Sequence, residues 1–312
     1  MTATKLRDGA FKALLLGTLY ATTAVSPVLA QDQASTLLWS TDELSNPESV
    51  LEDSGRSVLY VSNVNGAPTD KDGNGFIAKL TFDGSIDTLE WIGGMDAPKG
   101  MVMDGADTLY VTDIDRLHRI DLNEGTITKT WDAPGAIFLN DPAIAENGDV
   151  YVSDIASRTI WRLKDGTMEL WLQDDALMHP NGTRVEDGKL LVAGWGRDMQ
   201  EDGSTLTGGN LFTVDLETRE ISDLGTGVGI GNLDGLEPDG RGGYLVTDFI
   251  AGALHRIQPD GSHEQLLDLD QGSADLEVVE NGRIAIIPQM MGNRIDAYDL
   301  TSDFAVGSTQ AQ

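Results

Sequence analysis

The chain of 312 residues carries 21 Lys and Arg against 51 Asp and Glu, a formal net charge of −30, with 40% hydrophobic residues and 36 glycines against 10 prolines. A surface so acidic repels nucleic acid and anionic membrane. The absence of cysteine removes disulfides, zinc–thiolate sites and thiol nucleophiles together.

Residues 1–30 read as a secretory signal peptide: Lys5, Arg7 and Lys12 form a basic n-region, residues 13–25 a short apolar h-region, and Val28-Leu29-Ala30 a small-residue cleavage site. The alternative, an uncleaved anchor, meets an apolar run shorter than the roughly 20 residues a membrane span needs. There is no twin-arginine pair and no lipidated cysteine, so the expected location is the periplasm or the medium, off the membrane once the leader is cut. The cut removes three basic residues and one acid, leaving 18 Lys and Arg against 50 Asp and Glu, a net charge near −32.

Residues 36–40 (TLLWS) form a short apolar strand with no partner nearby in sequence. After it a pattern recurs six times: a polar lead residue, an alternating strand, an Asp/Asn-Gly turn, and a strand of the type VLYVSNV (58–64), LYVTDI (109–114), VYVSDI (150–155), LLVAGW (190–195), YLVTDF (244–249) or IAIIPQ (284–289). The leads are Glu48, Lys99, Asn140, Asn181, Asp234 and Asp275. A repeat of about 41 residues with four strand signals and period-2 alternation is that of a β-propeller blade, so the expected fold is an all-β, six-bladed propeller over 36–301. The sixth repeat ends near Leu300 without its fourth strand, and residues 36–40 supply it, closing the ring with the chain's start. Residues 302–312 read as a polar tail.

Strand direction sorts the loops onto two faces. The Gly-rich hairpins all fall on one face. The other face receives the polar leads and two long loops, 65–75 and 196–210. That second face is the expected site. Glu, Asn and Asp converging on one axis offer hard oxygen ligands for calcium, magnesium or manganese, with zinc a poorer fit. Propeller axes also hold polar groups and water where six inner strands cannot pack dry, and the residues alone leave that alternative open.

The six blades, PESV at 47–50, FLND at 138–141, PNG at 180–182 and LDG at 233–235 resemble the senescence-marker-protein/regucalcin/gluconolactonase family of calcium-dependent lactone hydrolases. The resemblance covers nearly the whole mature chain. It implies a divalent cation, most often calcium, held by Glu48, Asn181 and Asp234, with Asp234 also the acid/base. It places Asn140, followed by Asp141, against a small-molecule substrate. Lys99, Phe138 and Trp195 are expected to complete the substrate wall. Sugar-lactone members carry arginine where this chain has Phe138, and a phenyl ring cannot grip hydroxyls or a carboxylate. The competing class is a non-catalytic propeller binding a ligand or partner protein through the same face.

Other motifs are weaker. Asp70-Lys71-Asp72-Gly73-Asn74-Gly75 begins like an EF-hand loop, but Thr81 stands where a bidentate Glu is required, so a surface turn is expected. His118 and His255 occupy equivalent LHRI strands and read as packing, whereas His179, two residues before Asn181, could reach the mouth as a proton carrier. Ser62, Thr112 and Ser153 recur at one strand position and no G-x-S-x-G elbow exists, which argues against a serine nucleophile. Asn63, Asp113, Asp154 and Asp248 end strands near the site face and are expected to tie blades together. Trp91, Trp131, Trp161 and Trp171 are expected between blades.

Overall fold

The computed structural model describes residues 36–224, 227 and 229–301; the leader and tail read from the sequence lie outside these residues. Six four-stranded antiparallel sheets follow one another around a ring. The innermost strands are Pro47–Asp53, Pro98–Asp104, Leu139–Ile144, Pro180–Glu186, Leu233–Pro238 and Glu277–Val279. The apolar–polar alternation explains the stacking. Each strand presents its apolar face to a neighbouring blade, so the core has six main clusters, one per blade interface, beside a small seventh of Val64, Ala97 and Ile114. Tyr151 meets Trp171 edge-on at 4.9 Å in one such cluster, and Tyr60 stacks on Trp91 at 5.1 Å in another. Trp131 and Trp161 belong to a third, as their recurrence on outer strands implies.

Closure is made by the strand Thr36–Thr41, which pairs antiparallel with Arg294–Asp299 in the sixth blade. Ser40 Oγ donates to Asp296 across this seam at 2.6 Å, and Thr41 Oγ1 donates to Gly84 O of the first blade at 2.5 Å. Without it the strand 294–299 would be an unpaired edge.

The inner strands share an irregularity that the repeat pattern does not announce. In five blades the register slips at the lead residue, between Pro47 and Val50, Pro98 and Met101, Leu139 and Pro142, Pro180 and Thr183, and Leu233 and Leu236. A bulge there lets two consecutive residues serve the axis. Hydroxyls of the next strand satisfy the bulged backbone: Ser62 Oγ accepts from Ser49 N, Ser153 Oγ from Asp141 N and Thr247 Oγ1 from Gly235 N, each at 2.9 Å. Thr247 Oγ1 also donates to Ala274 O of the following blade at 2.9 Å, and Thr112 Oγ1 donates in the same way to Asn140 O. The recurring Ser/Thr is thus a structural staple between adjacent inner strands.

These staples correct the expected lead of the sixth blade. The carbonyl equivalent to that of Asn140 belongs to Ala274, and Asp275 bridges in parallel to Ser49, one position beyond Glu48. Asp275 therefore sits one residue deeper along the axis than the lead ring, and a methyl group stands at the sixth lead position.

Removing residues 36–41 should lower stability by about 3–5 kcal/mol, at roughly 1 kcal/mol for each of the seam's hydrogen bonds. The corresponding fall in melting temperature is about 10 °C. Differential scanning calorimetry checks this, and an unchanged midpoint would mean that the seam does not hold the ring.

Candidate functional site

The lead residues form the floor of a cavity of about 320 Å³ on the face that carries the long loops. Glu48, Lys99, Asn140, Asn181 and Asp234 line it together with Phe138 and Trp195, so seven of the eight residues expected from the sequence meet in one place. All five floor residues are at most 5% exposed.

Their hydrogen bonds leave a defined set of oxygens unused. The Asn140 side chain draws the Glu48 carboxyl down, and that of Asn181 the Asp234 carboxyl, against the raising effect of burial. Glu48 Oε2, Asn140 Oδ1, Asn181 Oδ1 and Asp234 Oδ1 remain buried without a partner. Four orphaned oxygens on one floor are costly unless something electropositive meets them. Burial and the carboxylates of Asp234 and Asp275 push the Glu48 carboxyl well above its ordinary range, and burial with Asp275 and Asp248 does the same to Asp234. The donor set of two carboxylates and two amide carbonyls is hard and all-oxygen, which fits calcium and has nothing for a soft metal. Among the described residues no three His, Cys, Asp or Glu side chains gather closely enough to hold a metal by themselves, so the amides of Asn140 and Asn181 are needed for the set.

Above the floor the wall is apolar. Phe138 is placed by the connection entering the third blade, where Asp154 accepts from Ile137 N at 2.8 Å and from Phe138 N at 3.2 Å. Asp113 grips the entry to the second blade in the same way through Asp96 N and Ala97 N, which is the blade-tying role expected of these residues. The Lys99 ammonium donates to Ala97 O at 2.9 Å and lies 4.4 Å from the centre of the Phe138 ring. A cation thus stands at the floor's edge, under a phenyl ring. Burial lowers its pKa to about 8 against the pull of Glu48.

Trp195 stacks at a tilt on Phe249, 5.6 Å between ring centres, and its Nε1 donates to Gly203 O at 2.7 Å. The insertion in the fourth blade is a hairpin, Gly196–Met199 paired with Thr205–Gly208, that leans over the mouth and brings Met199 and Gly203 to the cavity. Asn232 fastens it by donating to Trp195 O at 3.0 Å and Thr205 Oγ1 at 2.9 Å. Phe249 and Ile155 lie in turns, Met199 at the end of a strand of the inserted hairpin and Met290 in a 3-10 turn, where neither the blade's period nor its spacing marks them.

A family model described as the SMP-30/gluconolactonase/LRE-like region matches residues 97–266, more than half of the chain. The chain belongs to this family. The fold is shared with a putative gluconolactonase at 19% identity, covering 85% of this chain and 91% of that one with a TM-score of 0.61. It is shared as well with a gluconolactonase from Xanthomonas campestris at 16% identity, 86% and 87% coverage and a TM-score of 0.61. Virginiamycin B lyase from Staphylococcus aureus, 11% identical over 85% of this chain and 99% of its own, superposes with a TM-score of 0.60. No curated protein matches the chain.

Two expected residues are placed elsewhere by this family member's structure. Asp141 does not line the mouth cavity: as the second residue of its bulge it faces a chamber of about 450 Å³ at the opposite end of the axis, with Asp275, Arg184, Glu237 and Glu277. His179 turns away from the mouth, its Nδ1 donating to Ile155 O at 2.6 Å, and lines a separate cleft with Arg158 and Asp175. His118 is buried against Thr130 and Asp113, as its packing role requires. The Asp70–Gly75 turn spends Asp72 on Asn74, consistent with a surface turn.

The opposite chamber is as charged as the mouth. Asp141 is 4% exposed with both carboxylate oxygens unpartnered. Only glycine fits beside it, since a Cβ on Gly100 would lie 2.1 Å from Asp141 Oδ1. Burial raises the pKa of Asp275 to about 7 and that of Glu277 to about 7, and raises Asp141 and Glu237 well above the carboxylate range. Folded-state values above the unfolded ones mean that the folded state holds protons the unfolded chain has released. In a chelator, stability should therefore fall as pH rises from about 4 through 7, where Asp275 and Glu277 release their protons. Chemical denaturation at a series of pH values checks this, with Asp275→Asn and Glu277→Gln expected to flatten the slope.

Proposed function

We propose that the protein is a hydrolase of lactones or related carboxylic esters that works with a divalent cation, calcium for preference, held by Glu48, Asn181 and Asp234. The observation that carries this reading is the set of four buried, unpartnered oxygens of Glu48, Asn140, Asn181 and Asp234 facing one cavity. Membership of the SMP-30/gluconolactonase/LRE-like family supports the lactone class.

A bound cation would polarise an ester carbonyl and acidify a water beside it, and would draw the raised carboxyls of Glu48 and Asp234 back to their ionised forms. The chain's own groups do the rest. Asp234, through the carboxylate oxygen not given to the cation, takes the proton of the attacking water and returns it to the ring oxygen as the acyl–oxygen bond breaks. Asn140 orients the lactone ring through its amide. The Phe138 and Trp195 walls keep bulk water from the carbonyl, and Asp154 holds Phe138 in place through the backbone. The leader read at residues 1–30 would deliver this enzyme to the periplasm or the medium.

Calorimetric titration of calcium into metal-stripped protein should show one site, lost in Glu48→Gln and in Asp234→Asn. Lactone hydrolysis should fall at least about 100-fold in Asp234→Asn. One-site binding that survives both changes would remove the assignment.

A further inference from the structure

Resting on the hydrolase reading above, we propose that the substrates are lactones or esters with an apolar alkyl or aryl substituent, and not sugar lactones. The substituent lies along a wall made by Phe138, Ile155, Trp195, Met199, Phe249 and Met290, directly above the oxygen floor.

Three observations carry this. First, among the described residues lining the cavity there is no Ser, Thr, Tyr, Gln, Arg or His side chain. Above the floor Trp195 Nε1 is already engaged by Gly203 O, and Lys99 Nζ, on the floor, is turned toward Ala97 O under the Phe138 ring. Hydroxyls of a polyhydroxylated ring lying along the wall would lose water and find no side-chain partner there, at a loss of about tenfold or more per group. Second, the polar and apolar parts are segregated by construction. The floor comes from inner strands, where the axis requires polar groups, and the wall comes from interblade loops and the inserted hairpin. A ligand that matches both has one ester group and one apolar arm. Third, the apolar character continues outward. Ile137 is 57% exposed and Met291 61%, each next in sequence to a wall residue, Phe138 and Met290, and Leu206, 75% exposed, lies on the same inserted hairpin as Met199. Large exposed apolar side chains gathered at a pocket entrance mark the approach of an apolar ligand.

The test compares γ-lactones bearing methyl, butyl, hexyl and octyl side chains with glucono-δ-lactone, using mature protein in calcium and following acid release by pH-stat. In parallel, 2-alkylcyclopentanones of the same chain lengths, which carry the carbonyl but cannot be hydrolysed, are bound under tryptophan fluorescence with Trp195→Phe as control. The expected result is a kcat/KM that rises roughly fourfold per methylene until the cavity is filled, with glucono-δ-lactone far below. Cyclopentanone affinity should rise with a similar slope. Met199→Gln, on the exposed hairpin, and Phe249→Asn should both flatten the slope. A slope near one, or a preference for glucono-δ-lactone, would overturn the proposal while leaving the hydrolase reading intact. Rising cyclopentanone affinity without lactone turnover would support the ligand class and remove the hydrolase reading. Neither binding nor turnover of any compound would overturn both.

Discussion

Charge along the axis is the constraint on which the rest of the structure depends. Glu48, Asp141 and Asp234 are buried there and Glu237, Asp275 and Glu277 half-buried, with Lys99 and Arg184 as the accompanying cations. Carboxylates at this density cannot all ionise without compensation. The Arg184 guanidinium satisfies part of one end, bonding Glu186 at 2.7 Å and Glu237 at 2.9 Å. At the other end Lys99 is turned toward Ala97 O and Phe138, which leaves the floor oxygens bare. The mouth is the place where an added cation relieves the most.

The backbone makes this concentration possible. Bulges at the lead positions turn two successive residues of five inner strands toward the axis, and the residue types divide the work. Lead positions carry Glu, Lys, Asn, Asn and Asp; the following positions carry Ser49, Gly100, Asp141, Gly182 and Gly235. The glycines are where the strands crowd: a Cβ on Gly182 would sit 2.1 Å from Asp234 O. The N-G and D-G pairs of the sequence are therefore a steric requirement of the axis beside a polar ligand, which gives a physical reason for short motifs that would otherwise be weak signals. The same bulges separate the axis into two chambers with different chemistry, a mouth with apolar walls and an opposite end lined by acids and one arginine.

The fold was legible because each blade repeats a strand whose alternation is unambiguous, as in VYVSD at 150–154, and because residues 36–40 had no other partner to take. The floor of the site was legible for the same reason, since equivalent positions in successive blades must meet at the axis. What could not be read was displacement by a single residue. ADLEVVENG at 274–282 aligns by eye with LDGLEPDG at 233–240 on their aspartates, yet the hydroxyl staple from Thr247 places Ala274 at the lead and drops Asp275 deeper. Asp141 was misplaced for a related reason: a bulge sends adjacent residues to opposite chambers, and no local signal marks a bulge without glycine. His179 illustrates the limit for loops, where proximity in sequence to Asn181 said nothing of where its ring would turn.

The most direct test of the central claim is anomalous diffraction from crystals grown with manganese as a calcium substitute, recorded at the manganese edge. The account predicts a peak at the mouth floor, within about 2.1–2.6 Å of Glu48 Oε2, Asn181 Oδ1 and Asp234 Oδ1. A peak confined to surface carboxylates, or none on the axis, would contradict it.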